Sequence, residues 1–245
     1  MTTKRILGPS LYLLIACTPR VAQAQMRSHV TLFELAPTID LNICSAKAHE
    51  RGPAWDAMLA SREMEDDEAR HVLAALQDSL TVEAVARPTD VELQYVLATV
   101  IGVRTEVEGG RTKVRFASAL HVQAEVVLSL NPNHPGAQHL LGRLHAAVMR
   151  MNRIKRFVAT RVLGGGALAG ASWEEAERLL EAAASGDPCI ADHHYELALL
   201  YAERKNLGAA RRQIDKMLRL TGSRPEAEAI VEKAVVLLED LDHGF

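Results

Sequence analysis

Ten histidines occur in this chain of 245 residues, and six of them, His121, His134, His139, His145, His193 and His194, crowd into its middle. Histidine is the side chain best suited to ligate a metal or move a proton near neutral pH, so their spacing decides what chemistry is open. His139 and His145 are six apart and do not share a helical face; His193 and His194 are neighbours and point to different faces. No His-Glu-x-x-His, Cys-x-x-Cys or carboxylate-rich calcium loop occurs. Gly164-Gly165-Gly166 lacks the Lys-Ser/Thr of a phosphate loop and reads as a linker. Neither Ser10 nor Ser172 sits in a nucleophile elbow. Glu63, Glu65, Asp66, Asp67 and Glu68 form a charge run of the kind found at a solvated helix start. We therefore expect no catalytic residue, no metal and no cofactor, and a protein that binds rather than transforms.

The sequence around these residues is helical. Aromatic residues make up only 4% of the chain, and Ala and Leu dominate, which favours helix over sheet. From Trp55 the apolar residues follow the helical period, giving expected helices over 54–62, 66–80, 112–129, 152–163, 206–220 and 225–241. Pro88, Pro132 and Pro188 each precede a Leu-small pair by nine residues: Leu97-Ala98, Leu141-Gly142 and Leu197-Ala198. A proline fits the turn just before a helix, and a small residue in mid-helix lets a second helix approach. Thr89-x-x-Glu92 and Ser172-x-x-Glu175 have the form of capping boxes. The last unit fits a tetratricopeptide repeat, and the earlier ones fit after insertions. The expected fold is all-α: a right-handed tetratricopeptide-like helical-hairpin solenoid over 54–245, with an insertion at about 152–171 and a C-terminal capping helix.

Asn131-Pro-Asn-His-Pro-Gly-Ala-Gln-His-Leu-Leu-Gly-Arg-Leu-His145, Ile154-Lys-Arg-Phe157, Gly164-Gly-Gly166, Ser172-Trp-Glu-Glu-Ala-Glu177 and Asp192-His-His-Tyr-Glu-Leu-Ala198 together resemble the regulators of microtubule dynamics, especially their bacterial relatives. The resemblance covers roughly residues 66–240. It implies a helical repeat domain without enzymatic activity. The microtubule role belongs to eukaryotic members and is not carried over.

The start of the chain reads as an export signal. Lys4 and Arg5 precede an apolar run from Ile6 to Ala16 that is too short to span a bilayer, and Ala22-Gln23-Ala24 offers a cleavage site. Leu14-Ile15-Ala16-Cys17 offers the alternative of a lipobox, with Cys17 lipidated. Residues 25–53 carry no clear pattern. Removing 1–24 removes Lys4, Arg5 and Arg20 and no acid, which moves the net charge from −3 to −6. An acidic chain is a poor ligand for nucleic acid. Cys44 and Cys189 would face an oxidising compartment; two separate thiols are expected, at least one of them buried.

Two surfaces are candidates for a partner. If the helices bearing Leu97, Leu141 and Leu197 line a concave face, the positions five and two before each Leu and two after it are exposed there. These are Glu92, Tyr95 and Thr99; Gly136, His139 and Arg143; Asp192, Tyr195 and Leu199. Tyr95, His139 and Tyr195 would form a ladder for a protein or peptide. The second candidate is basic. Between Val126 and Trp173 there is no acid, and Arg143, Arg150, Arg153, Lys155, Arg156 and Arg161 fall there. Either they meet an acidic peptide, lipid headgroups or another anion, or they pair with the acidic helices at 172–182 and 225–241 or stay solvated. Ile154, Phe157, Val158 and Val162 on one face of 152–163 suit a membrane contact or docking on the adjacent helical pair equally well. The expected function is an exported, periplasmic or envelope-located adaptor or scaffold, soluble or tethered through Cys17.

Overall fold

The computed structural model describes residues 53–220 and 227–243. The expected leader with Cys17, the segment 25–52 and Cys44 lie outside the described residues. Ten α-helices and no strand occur among the described residues: α1 (Pro53–Ala60), α2 (Asp66–Ala86), α3 (Val91–Val107), α4 (Gly110–Leu130), α5 (Pro135–Arg150), α6 (Arg153–Arg161), α7 (Trp173–Gly186), α8 (Ala191–Glu203), α9 (Leu207–Leu220) and α10 (Ala227–His243). Short 3₁₀ turns lie at Ser61–Glu63 and Gly166–Leu168. The chain is thus all-α, as its periodicity predicts. α2 runs six residues beyond the expected 80, because its buried stripe continues through Leu80 and Ala84 and nothing breaks the helix before Pro88.

Three hairpins form the body: α3 with α4, α5 with α7, and α8 with α9. The first helices then touch in series, α3 to α5, α5 to α8 and α8 to α10, which is the packing of a solenoid. The Leu-small pairs sit where the helices come together. Leu141 is buried, and a Cβ added to Gly142 would lie 2.8 Å from Leu180 Cγ and 3.1 Å from the Leu180 backbone nitrogen. Ala98 and Ala198 are likewise fully buried. α10 closes the stack with Ala234, Leu237 and Leu241 in the same apolar cluster as Leu197, Ala210 and Ile214.

Each hairpin begins with the same polar device. The carbonyl of each turn proline accepts a hydrogen bond from the buried side chain six residues later: Gln94 Nε2 to Pro88 at 3.4 Å, Gln138 Nε2 to Pro132 at 3.1 Å, and His194 Nε2 to Pro188 at 3.0 Å. In the first and last hairpins that side chain also meets a glutamine on the second helix, Gln123 at 2.6 Å and Gln213 at 2.8 Å. A buried polar side chain costs free energy unless it is bonded, so these bonds fix both the turn and the helix pairing.

Three local expectations need correction. Thr89 does not cap α3: Asp90 does, accepting from Leu93 N at 3.1 Å. Ser172 does cap α7, accepting from Glu175 N at 3.1 Å, but the reciprocal half of the box is absent. Glu175 binds Arg178, while Ser172 N donates to His145 Nδ1 at 3.4 Å. Cys189 is buried as expected but is not a separate thiol, since it is disulfide-bonded.

Between the two helices of the middle hairpin the chain makes an excursion, α6 and a glycine-containing loop. Leu168 inserts its side chain into the core, and Arg111 and Ser118 of α4 donate to the carbonyls of Val162 and Gly164. At Gly165 a Cβ would stand 2.5 Å from the Ala159 carbonyl oxygen, so only glycine allows the loop to fold back on α6.

Candidate binding face

The side chains predicted for the groove do share one layer, that of α3, α5, α8 and α10, but they are engaged with one another across the helix joints. Tyr95 packs against His134 in a tilted arrangement, with ring centroids 4.5 Å apart, and its ring occupies the space left by Gly136, where a Cβ would be 2.3 Å from Tyr95 Cζ. Burial pushes its hydroxyl pKa up to about 12. Trp55 of α1 also meets the Tyr95 ring, with centroids 6.0 Å apart. Thr99 donates to the Tyr95 carbonyl. Glu92, exposed at the rim, reaches His134 Nε2 at 3.4 Å.

His139 does not continue the ladder to Tyr195. It packs on His193 of α8, with centroids 4.7 Å apart. Nδ1 of each ring is buried without a hydrogen-bond partner. Burial pushes both imidazoles toward the neutral form; His193 falls to about 4, although Asp187 and Asp192 pull it up, and His139 falls well below its ordinary value. Two rings that stay uncharged can share a dry interface between α5 and α8.

One turn along, Arg143 bridges two helices, with Glu106 of α3 at 2.9 Å and Glu196 of α8 at 3.0 Å. Glu196 is buried, which pushes its pKa up, while Arg143 opposes that rise. The Arg143 side chain keeps 45% of its surface exposed, so it both neutralises Glu196 and faces solvent. Beyond it, Tyr195, Leu199, Glu232, Lys233, Val236 and Leu237 line a cleft of about 240 Å³ between α8 and α10. The Lys233 ammonium lies 5.2 Å from the Tyr195 ring centre and 3.6 Å from Asp192.

The basic set divides. Arg143 is paired as above, and Arg150 pairs with Glu203 of α8 at 2.5 Å. The expected intramolecular partners at 172–182 and 225–241 are not the ones used by these two. Arg153, Lys155, Arg156 and Arg161 of α6 have no carboxylate partner among the described residues; Arg156 donates instead to Met149 Sδ.

Sequence periodicity selected one layer but missed half of each pair: His134, His193, Glu106, Glu196 and Lys233. Glu196 carried a usable signal, since it stands directly before Leu197-Ala198 in an otherwise apolar stretch. A charge at such a position needs a partner. Among the described residues no group of three or more His, Cys, Asp or Glu could hold a metal ion, and no helix is long and apolar enough to cross a membrane.

Fold and face together define an all-α, helical-hairpin, repeat-like protein with a polar, aromatic layer at the joints of α3, α5 and α8. Residues 52–242 match the family model of regulator of microtubule dynamics protein 1-3, and the chain belongs to that family. No curated protein matches it.

Proposed function

We propose that the chain is an exported, non-enzymatic docking module of the tetratricopeptide type, akin to bacterial relatives of the family, which holds a protein or peptide against the concave layer formed by α3, α5, α8 and α10. The observation that carries this reading is the cleft between α8 and α10 in that layer. Tyr195 and Leu199 are half-buried beside a cleft whose far wall, on α10, offers Val236 and Lys233. A tyrosine, a leucine and a valine around a shallow cleft, with Lys233 and Glu232 at its edge, suit an extended or helical segment with an apolar anchor and a polar flank. Export is supported by the leader pattern. A tether through Cys17 is the second reading, favoured by the Leu-Ile-Ala-Cys run. The intact mass of protein taken from its native envelope separates the two: a chain starting at Gln25 is soluble, and one starting at Cys17 with acyl chains is anchored.

Arg143 is a poor residue with which to test docking, because its loss strands Glu196. Tyr195→Ala with Leu199→Ala is the better pair. It should abolish chemical cross-links to a native partner and leave the helical circular dichroism unchanged. Undiminished cross-links would remove the face from consideration.

A further inference from the structure

α6 is an addition to the hairpin, and it combines an exposed apolar stripe with a cluster of cations. Only Ala159 is buried, with Arg156 and Thr160 half-buried beside it. The opposite side carries Ile154, Phe157, Val158 and Val162, the spacing of a continuous helical stripe. Ile154 is 77% exposed, Phe157 62% and Val162 55%. Arg153 and Lys155 flank the stripe, and Arg161 stands within it. Beside the stripe is a cleft of about 350 Å³ lined by Arg153, Arg156, Phe157, Thr160 and Arg161, with Met149 and Ala169 among the residues of its other wall. Three arginines line it and, among the described residues, no carboxylate answers them.

An apolar stripe exposed to this extent would be an aggregation liability in a chain with no use for it. Here it is bordered by long cationic side chains, whose stems reach past an apolar contact and whose charged ends remain in the polar zone. We propose that α6 lies on an anionic phospholipid surface: Ile154, Phe157 and Val162 enter the acyl boundary, while the arginine cleft receives headgroup phosphates. The arrangement favours a membrane over an acidic peptide. The cations stand on both sides of the apolar stripe, as on a plane, rather than along one side of a channel. The rigid support is present too. The Gly165 amide donates to the Ala159 carbonyl at 3.0 Å, and the loop is bonded to α4, so the helix is held with its apolar side outward. This contact is independent of the peptide layer and of Cys17.

The test is sedimentation of the full chain, carrying Cys17→Ser to exclude an acyl anchor, with phosphatidylcholine vesicles with and without phosphatidylglycerol. The apolar leader is common to every variant, so differences report on α6. The parent should partition only onto the anionic vesicles. Arg153→Glu/Lys155→Glu/Arg156→Glu should weaken binding by roughly 100-fold or more, since each basic residue near such a surface contributes about 5-fold. Ile154→Ser/Phe157→Ser should weaken it at least ~10-fold without changing net charge. Equal sedimentation of parent and both variants overturns the proposal. So does a parent that ignores anionic vesicles yet binds polyglutamate peptide through the same arginines.

Discussion

At the scale of single residues, the His139–His193 contact is the feature most sensitive to conditions. Each ring presents a buried, unbonded Nδ1 to the α5–α8 joint. Protonating one would place a buried charge there that Asp187 and Asp192 offset only in part. His193 titrates near 4 in the fold and near 6.5 when unfolded, so between these values the unfolded chain binds more protons. Stability is therefore complete above pH 6.5 and is lost progressively as pH falls toward 4, by about 3 kcal/mol from His193. Urea unfolding at pH 7 and pH 4.5 checks this, with His193→Gln as reference. The substitution should flatten the part of the pH dependence that lies in this window, and an unchanged slope would contradict the assignment. Arg143 makes the second residue-scale prediction. Arg143→Ala leaves Glu196 buried without its closest cation, so it should lower unfolding stability by about 1–3 kcal/mol. Arg143→Ala/Glu196→Gln should recover part of that loss in the same urea titration.

Helices and their joints set the next level. Leu141-Gly142 was readable as a close-packing pair from its recurrence with Leu97-Ala98 and Leu197-Ala198. The structure shows why the middle unit needs glycine, since Leu180 leaves no space for a Cβ. Gly142→Ala should cost about 1–3 kcal/mol through forced displacement of α7, a loss measurable by thermal unfolding; an unchanged midpoint would mean that α5 and α7 are not so close. The proline spacing was legible for a related reason, because Pro fixes its turn wherever it stands. What the spacing did not reveal is the side chain at the sixth position after each proline. Gln94, Gln138 and His194 do one job with two residue types, so no identity recurs for a pattern search to find. Thr89 and Asp90 are adjacent cap formers, and which of them caps α3 depends on a one-residue difference in where the helix begins. Periodicity does not resolve that.

For the molecule as a whole, three hairpins and a closing helix form a stack in which each unit is stabilised by its neighbours. Leu237 of α10 packs into the cluster that contains Leu197 and Ile214, and Leu237→Asp should uncover that face. The expected result is a lower unfolding midpoint and self-association in analytical ultracentrifugation. A monomer of unaltered stability would show that α10 does not close the stack. The all-α architecture was legible because it rests on local periodicity, and which residues share the layer of α3, α5 and α8 was legible because it follows from counting along Leu97, Leu141 and Leu197. The pairing within that layer was not. Glu106 meets Arg143, and Lys233 meets Asp192, across helices far apart in sequence, and only the stacking geometry brings them together. The central claim is that this layer holds a partner. A photo-cross-linking residue placed at Tyr195 in the native cell, with Val82 on the exposed side of α2 as control, tests it most directly. A discrete adduct at 195 that is absent at 82 is the predicted result. No adduct at 195, or the same adducts at both positions, would contradict it.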